Sequence, residues 1–281
     1  MLYSLHTLIH QALLEDGAEA DITTLSTVPA EQQASGTIVT RQTGVIAGLS
    51  VAAEVFYLFD PQISVKLLIA DGTSVQAGQE LMHLSGPARS LLSAERVALN
   101  FLGRLAGIAT LTAQCVRALE GTHTRILDTR KTTPGLRALE KEAVRLGGGQ
   151  NHRFGLNDGI LIKDNHIKAA GGIPQAIRAV RRQSPHLLKI ECECETLAEV
   201  EQAVQAGADV ILLDNMSIEM MRNAVEFVRG VGTRVLLEAS GNIGTDTTKL
   251  AAVAATGVDF ISLGALTHSA PNFDISLEFA E

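Results

Sequence analysis

Short apolar runs recur through the second half of the chain, and their spacing restricts the fold more than any other feature. The runs begin at residues 126, 160, 187, 210, 235 and 260. Stretches with the apolar spacing of an amphipathic helix, such as residues 196–206 and 217–228, lie between them. This alternation predicts repeated β-α units and therefore a parallel sheet or barrel.

The length of the repeating part favours a truncated barrel. A complete eight-unit β/α barrel needs about 250 residues, whereas this 281-residue chain begins its repeats near residue 125 and shows six apolar runs. We therefore predict an incomplete, about six-stranded β/α barrel over residues 111–268. A doubly wound sheet is the alternative, although no Gly-x-Gly-x-x-Gly turn follows any of the runs.

The first part of the chain has a different pattern of apolar residues. Residues 4–15 have helical spacing, and residues 36–86 hold short alternating runs separated by turn residues, which is typical of antiparallel strands. Together with a linking helix, they predict an N-terminal α+β domain over residues 1–110. Residues 269–281 are expected to form a C-terminal tail that packs back on this domain.

A long helical stretch over residues 90–119 follows the β-rich region. Gly103 and Gly107 within it mark either breaks in the helix or points of close packing.

Composition and charge exclude several functions. The formal net charge is −8, tryptophan is absent and aromatic residues make up 4%, so neither a nucleic-acid surface nor an anionic-membrane surface is expected. The chain shows no signal-peptide pattern and no apolar run of about 18 residues. An odd number of cysteines, three, provides no disulfide framework, and we expect a cytoplasmic protein.

Polar residues follow almost every predicted strand. The carboxyl ends of parallel strands are where the sites of barrels and open sheets are built, so a series of polar ends predicts an active site. The segments are Asp128–Lys131, Lys163–His166, Glu191 with Glu193, Asp214–Asn215, Glu238–Asn242 and Gly264.

Positive charge is concentrated among these candidate residues. Arginine and lysine there suit a ligand with several carboxylates or phosphates, because guanidinium groups pair with both bidentately. The cationic candidates are Arg130, Lys131, His152, Arg153 and Lys163.

The remaining candidates are acidic or small. Glu193 and Asp214 suit ribose hydroxyls or a Mg²⁺ ion, which prefers oxygen ligands. The segment Ser240-Gly241-Asn242 and Gly264 would let backbone N–H groups approach a phosphate. These residues together indicate a polyanionic substrate that meets a phosphorylated sugar.

The strand with alternating glutamates and cysteines carries no metal signal. Period-two alternation over residues 191–195 places the glutamates on one face and Cys192 and Cys194 on the other, as core residues. A Cys-x-Cys pair without a second half, and histidines without His-x-x-x-His spacing, argue against a zinc site.

Several motifs in order resemble those of the quinolinate phosphoribosyltransferase family, also called carboxylating nicotinate-nucleotide pyrophosphorylases. The resemblance extends over nearly the whole chain, from residues 14–24 through the helix around Glu95-Arg96. The motifs are Asp128–Arg137, Gly147–Arg153, Leu161–Ile167, Leu213–Met216, Glu238–Ile243 and Gly264–Ser269.

The resemblance implies a reaction in de novo NAD biosynthesis. Quinolinate and phosphoribosyl pyrophosphate would give nicotinate mononucleotide, pyrophosphate and CO₂, with Mg²⁺ as cofactor. It also implies a homodimer with shared active sites, in which Arg96 reaches the neighbouring site, and a hexamer is left open as a larger assembly. From the sequence alone, Arg96 is better explained as an ordinary charge on a helix surface, and the resemblance reverses that preference.

The resemblance also implies the role of each candidate. Lys131, Glu193 and Asp214 would be catalytic, with Lys131 on phosphate or pyrophosphate and the two carboxylates on ribose or Mg²⁺. Substrate binding would fall to Arg96, Arg130, His152, Arg153, Lys163, Ser240, Gly241, Asn242 and Gly264.

Two positions depart from the family pattern. Ala20 stands where the family usually has glycine, and Glu142 stands where an aromatic residue is expected. Three alternative functions remain: a ModD-like, molybdenum-uptake-associated relative, an inactive anion-binding sensor, and an enzyme that takes nicotinate. The number of cations favours a dicarboxylate over nicotinate.

Overall fold

The computed structural model describes residues 5–280, and these separate into two compact units. The first unit contains the residues up to 113 together with 133–148 and 270–280, and the second contains 114–132 and 149–269. Unlike the sequence-based division, this one assigns the segment 133–148 to the first unit, and the C-terminal tail lies in that unit as well.

The strands are β1 (Gln33–Thr40), β2 (Gly44–Val45), β3 (Ser64–Leu67), β4 (Ser74–Val75), β5 (Glu80–Pro87), β6 (Arg125–Leu127), β7 (Ile160–Ile162), β8 (Ile190–Cys194), β9 (Val210–Asp214), β10 (Leu236–Ser240), β11 (Phe260–Ser262) and β12 (Ile275–Phe279).

The α-helices are α1 (Leu5–Asp16), α2 (Ile22–Thr27), α3 (Leu49–Phe59), α4 (Ala88–Arg117), α5 (Arg137–Leu146), α6 (Asp164–Ala170), α7 (Ile173–Gln183), α8 (Leu197–Ala206), α9 (Ile218–Gly230), α10 (Thr247–Ala254) and α11 (Ala265–His268). Within residues 5–280, none of the helices combines the length and the apolar character needed to cross a bilayer.

The first unit is built on an antiparallel sheet with the strand order β12-β1-β5-β3. The C-terminal tail enters it as an edge strand, with Thr37 of β1 opposite Glu278 of β12. Arg41 reinforces this pairing, because its side chain bonds to Ser276 Oγ at 3.0 Å and forms an ion pair with Glu278. The tail therefore belongs to the same sheet as the N-terminal strands.

The two glycines of α4 are points of close packing, since the helix runs unbroken from Ala88 to Arg117. A Cβ atom at Gly107 would lie 1.9 Å from the carbonyl oxygen of Pro271, and one at Gly103 would lie 3.1 Å from that of Phe273. Only glycine allows the chain after residue 269 to pass so close to the helix.

The second unit is built on a parallel sheet with the strand order β6-β11-β10-β9-β8-β7. The first and second strands in chain order lie at opposite edges, and within the described residues they are not paired with each other. This arrangement is an incomplete β/α barrel and confirms the predicted fold class. Each strand contributes an almost fully buried aliphatic residue to its core: Ile126, Ile162, Ile190, Ile211, Leu237 and Ile261.

The predicted third strand is misplaced by several residues. The sequence analysis began it at residue 187, whereas β8 begins at Ile190 and Leu187 is 84% exposed. Glu191 and Glu193 lie within β8. Their alternation with the cysteines is as predicted, since Cys192 and Cys194 are buried on the opposite face.

Candidate active site

A cavity of about 510 Å³ opens at the carboxyl ends of the parallel strands in the second unit. Most of the site residues predicted from the sequence line it. They are Arg130, Lys131, His152, Arg153, Lys163, Glu193, Asp214, Ser240, Gly241 and Asn242. The structure therefore brings together side chains that are more than 100 positions apart in the chain.

Two predicted residues are placed elsewhere. Arg96 belongs to the first unit, where it is exposed on α4. Gly264 follows β11 and lies beside Lys131, since a Cβ atom there would be 2.8 Å from Lys131 Cδ. The lack of a side chain at Gly264 thus leaves room for the lysine stem.

The backbone of Lys131 is held on two sides. Its N–H donates to Thr129 Oγ1 at 3.0 Å, and its carbonyl oxygen accepts from Thr267 Oγ1 at 2.8 Å. These bonds fix the segment after β6, so the Lys131 side chain extends from a rigid base into the cavity.

Asp128 organises the segment that carries His152 and Arg153. Its buried carboxylate accepts from the His152 backbone N–H at 2.8 Å and from Asn151 Nδ2 at 2.6 Å. Backbone bonds between Asp128 and Gln150 hold the same segment beside β6. The polar end of the first strand is therefore a structural anchor for two candidate ligand-binding residues.

Arg153 presents its charge next to that of Arg130. Its Nη1 donates to the carbonyl oxygen of Gly159 at 2.9 Å, which orients the guanidinium. Burial, and then repulsion from Arg130, lower the pKa of Arg153. Two cations that approach each other in a cavity stabilise a bound anion, because the anion relieves their mutual repulsion.

The ring nitrogens of His152 are both engaged by protein groups. Nδ1 accepts the N–H of Arg153 at 2.7 Å, and Nε2 lies 2.9 Å from Glu191 Oε2. Because Nδ1 is an acceptor here, the network assigns the ring hydrogen to Nε2, which donates to the carboxylate. Burial lowers the pKa of His152, but the bond to Glu191 and the charge of Glu238 outweigh it, so the net shift is upward.

Two glutamates lie close to His152, Glu191 on β8 and Glu238 on β10, and β9 separates these two strands in the sheet. Glu238 Oε2 is 3.6 Å from His152 Nε2, and the side chain of Glu238 is only 2% exposed. Burial, and then repulsion from Glu191, raise the pKa of Glu238 to about 8. We call Asp128, His152, Glu191 and Glu238 the buried cluster.

Three members of the buried cluster form the group of candidate metal ligands in the described part of the chain. His152, Glu191 and Glu238 offer ligand atoms within 4.8 Å of one another. Within that part of the chain, Oε1 of each glutamate has no hydrogen-bond partner. A cation or a proton would compensate this charge, and the raised pKa of Glu238 favours the proton.

A second set of polar residues lines the cavity, and its lysine and asparagine side chains are exposed to solvent. Lys163 Nζ lies 2.8 Å from Glu193 Oε2, and Asn215 Nδ2 donates to Asp214 Oδ2 at 2.7 Å. We call these four residues the open group. One oxygen of each carboxylate is engaged by these contacts, which leaves the other for a ligand.

The two departures from the family pattern lie in the first unit. Ala20 ends a short 3₁₀ turn (Ala18–Ala20), and the left-handed backbone of this turn falls on Gly17, with φ of 66°, so no glycine is needed at position 20. Glu142 lies on α5 and forms an ion pair with Arg145 at 2.9 Å.

Sequence reasoning assigned no role to four residues that the structure places in or beside the site. They are Asp128, Glu191, Asn215 and Glu238. The signal for the glutamates was present, because an acidic residue inside an apolar strand needs a buried partner. Asp128 and Asn215 act through bonds to other segments, which no local pattern reveals.

The fold and the site define a class of protein, an enzyme with an incomplete β/α barrel whose cavity gathers cationic side chains at the strand ends. Models of the quinolinate phosphoribosyl transferase N-terminal and C-terminal domains match residues 21–106 and 108–278. The chain belongs to the quinolinate phosphoribosyltransferase family.

Individual relatives agree with this membership. A Bacillus subtilis protein named probable nicotinate-nucleotide pyrophosphorylase [carboxylating] is 45% identical, over 98% of this chain and 93% of that protein. A nicotinate-nucleotide pyrophosphorylase [carboxylating] of Mycobacterium leprae is 44% identical, over 96% and 95%. The solved structure of the nicotinate-nucleotide pyrophosphorylase from Francisella tularensis superposes with a TM-score of 0.92 at 40% identity, over 98% of this chain and 96% of that one.

Proposed function

We propose that this chain transfers the phosphoribosyl group of phosphoribosyl pyrophosphate to quinolinate, in NAD biosynthesis. The products are nicotinate mononucleotide, pyrophosphate and CO₂. The observation that carries the proposal is the composition of the cavity, where Arg130, Arg153 and Lys163 share one space with the carboxylates of Glu193 and Asp214.

The cationic side of the cavity suits the two carboxylates of quinolinate. Arg130 and Arg153 present guanidinium groups, that of Arg153 oriented by the Gly159 carbonyl, and Lys163 adds an ammonium. Since both ring nitrogens of His152 contact protein groups, we assign the neutralising charge to the arginines and the lysine, and to His152 the orientation of Arg153.

The first chemical step forms a bond from the pyridine nitrogen to the anomeric carbon and breaks the bond from that carbon to pyrophosphate. Positive charge develops on the ribose in such a displacement. Glu193 and Asp214 would stabilise it or hold the ribose hydroxyls, and Lys131 would hold the departing pyrophosphate. Ser240, Gly241, Asn242 and Gly264 suit the 5′-phosphate, because small residues let N–H groups approach it.

The second step breaks the bond from the ring to the adjacent carboxylate. The electron pair stays on the ring carbon next to the pyridinium nitrogen, which stabilises it, and a proton then replaces the CO₂. No protein nucleophile takes part in either step.

We further propose that Mg²⁺ acts with the phosphoribosyl substrate. Glu193 and Asp214 fit the ion, because each has a carboxylate oxygen left by its contact with Lys163 or Asn215, and Mg²⁺ favours one or two carboxylates together with substrate phosphates. Bound there, the ion supplies positive charge that offsets the charge of the pyrophosphate.

Arg96 and the quaternary structure belong to the same proposal. The exposed position of Arg96 on α4 is compatible with a homodimer in which it reaches the partner's cavity. We also propose a cytoplasmic location. Sedimentation of the purified protein would test the dimer. Mixing Arg96→Ala protein with cavity-defective Lys163→Ala protein would test the shared site, since mixed dimers would regain one intact cavity.

A product assay tests the reaction. The purified protein is mixed with quinolinate, phosphoribosyl pyrophosphate and Mg²⁺, and nicotinate mononucleotide is followed by chromatography, with nicotinate as a parallel substrate. Product from quinolinate alone is expected. Product from nicotinate instead would contradict the dicarboxylate assignment, and no product from either would favour a molybdenum-uptake-associated relative or a binding role.

A further inference from the structure

Two asparagines have a backbone conformation that is rare outside glycine. Asn215 has φ of 54° and Asn242 has φ of 48°, and within residues 5–280 they are the non-glycine residues with positive φ. Asn215 follows β9 directly, and Asn242 lies two residues beyond β10. Since Asp214 is in register with Ser240, the two asparagines are neighbours at one edge of the cavity.

The side chains of the asparagines form a directed chain of hydrogen bonds to Asp214. Asn242 Nδ2 donates to Asn215 Oδ1 at 3.0 Å, and Asn215 Nδ2 donates to Asp214 Oδ2 at 2.7 Å. An ionised carboxylate only accepts hydrogen bonds, so Asn215 must turn its NH₂ towards Asp214 and its oxygen towards Asn242. The direction of the chain follows from that single requirement.

The surrounding backbone holds both asparagines in place. The N–H of Asn215 donates to the carbonyl oxygen of Ser240 at 3.0 Å, and Lys249 Nζ donates to the carbonyl oxygen of Asn242 at 2.5 Å. Each asparagine is followed by a buried apolar residue, Met216 or Ile243, which anchors its loop.

Gly241 provides the space for this arrangement. A Cβ atom at Gly241 would lie 2.4 Å from Asn215 Oδ1 and 2.8 Å from Asp214 Oδ1. Its φ of +84° also favours glycine. Position 241 therefore admits the amide and the carboxylate only while it has no side chain.

We propose that Asn215 and Asn242 are positioning residues that hold Asp214 Oδ2, so that Asp214 offers Oδ1 alone to the ribose or to the Mg²⁺ of the phosphoribosyl substrate. This inference rests on the proposed function. It predicts that the two asparagines affect the binding of phosphoribosyl pyrophosphate and leave the binding of quinolinate unchanged.

A simpler explanation is that asparagine tolerates positive φ better than most residues. Replacement by glycine separates the two explanations, because glycine keeps the backbone conformation and removes the amide. If only the conformation matters, Asn215→Gly behaves like the unchanged protein.

The experiment compares Asn215→Gly and Asn242→Gly with the unchanged protein. Binding of phosphoribosyl pyrophosphate with Mg²⁺ is measured by titration calorimetry, and KM for each substrate and kcat are measured separately. A hydrogen bond to a charged group contributes about 1.5–3 kcal/mol when shielded, and these side chains are exposed, so we expect about a tenfold weaker affinity for phosphoribosyl pyrophosphate in Asn215→Gly. The KM for quinolinate should change less than about twofold.

The double variant tests the order of the chain. Asn242→Gly alone should weaken phosphoribosyl pyrophosphate binding about threefold, and it should have almost no further effect in the Asn215→Gly background. Additive effects would overturn the relay, since they would mean that the Asn242 side chain acts on the substrate independently of Asn215.

Controls separate this inference from the proposed function. Asn223→Ala, on the exposed side of α9, should bind and turn over as the unchanged protein does, and thermal unfolding checks the fold of each variant. If the unchanged protein forms no product, the proposed function is wrong. If it forms product and Asn215→Gly binds phosphoribosyl pyrophosphate equally well, the positioning role is wrong and the function stands.

Discussion

The buried cluster and the open group are both made of acidic residues beside cationic or polar partners, but they treat charge in opposite ways. In the buried cluster, Glu238 is 2% exposed and its pKa is raised to about 8. In the open group, Lys163 is 48% exposed and pairs with Glu193 at 2.8 Å. The same residue types therefore hold a proton in one place and a charge in the other.

The difference shows that burial determines which acidic groups of the cavity can exchange their partner for a ligand. A pair that solvent reaches adds little to stability, because water screens it, but it can exchange its partner for a ligand. A buried carboxylate cannot do so and must be neutralised or bonded within the protein. We infer that the open group acts on the substrates and the buried cluster fixes the frame around them.

The largest expected effect is on turnover, in the open group. Lys163→Ala should lower kcat/KM for quinolinate about 100- to 1000-fold, because a fixed cation opposite a carboxylate is lost. Lys168→Ala serves as the matched control, since that lysine is exposed on α6 and pairs with Asp164 at 3.1 Å. Steady-state kinetics measure kcat/KM for both variants. Similar values would show that Lys163 does not bind quinolinate.

The next effect is on the pH dependence of stability, in the buried cluster. The pKa of Glu238 in the folded protein, about 8, lies above its ordinary value of 4.5, so the folded state keeps a proton that the unfolded state has released. Stability should therefore fall as pH rises from about 4.5 to 8 and level off above that. The Glu191 carboxylate, the His152 ring and the Ser262 hydroxyl face this group and shape the transition.

Glu238→Gln should remove that fall. Relative to the unchanged protein, its free energy of unfolding should rise by about 4 kcal/mol between pH 5 and pH 9. Denaturant unfolding at several pH values measures the difference, and the exposed Glu195→Gln serves as the control. Parallel pH profiles for Glu238→Gln and the unchanged protein would show that Glu238 is already ionised at neutral pH.

A third effect concerns the anchor of the buried cluster. Asp128→Asn keeps the shape of the side chain but leaves one of the two donors, His152 N–H or Asn151 Nδ2, facing an NH₂ group. An unsatisfied buried donor costs about 2 kcal/mol. Urea unfolding should show this loss, whereas the exposed Asp274→Asn should change the free energy of unfolding by less than about 0.5 kcal/mol.

The smallest expected effect is on stability, in the open group. Glu193→Gln breaks the ion pair with Lys163, yet we expect it to change the free energy of unfolding by less than about 0.5 kcal/mol, and less again in high salt. Unfolding at low and high ionic strength tests this. A loss of 2 kcal/mol would mean that the open group is structural after all.

The sequence predicted the architecture well where the signal is local. The repeating apolar runs gave five of the six parallel strands within a residue or so of their observed starts, because a buried strand and an amphipathic helix each leave a pattern within a short window. The third strand was placed too early, since Leu187 and Leu188 form an apolar run in a turn where only the paired neighbours could reveal the true register.

The candidate site was predictable as a set of residues, because strand ends can be located from the pattern and polar side chains there are conspicuous. Ten of the predicted residues line one cavity for that reason. The roles of His152 and Asp128 were not predictable in the same way. His152 counts as a cation in the sequence, but its partners are Glu191 and the Arg153 N–H, which lie on other segments or depend on a turn.

The sequence by itself determined the β/α repeat, the polar strand ends and the family motifs, since each depends on residues that are close together in the chain. Tertiary structure alone decided which carboxylates keep a proton, which amide faces Asp214, and that residues 133–148 join the first unit. The physical reason is that ionisation and hydrogen-bond direction depend on the distances between groups far apart in the chain. Those distances exist only once the strands have paired.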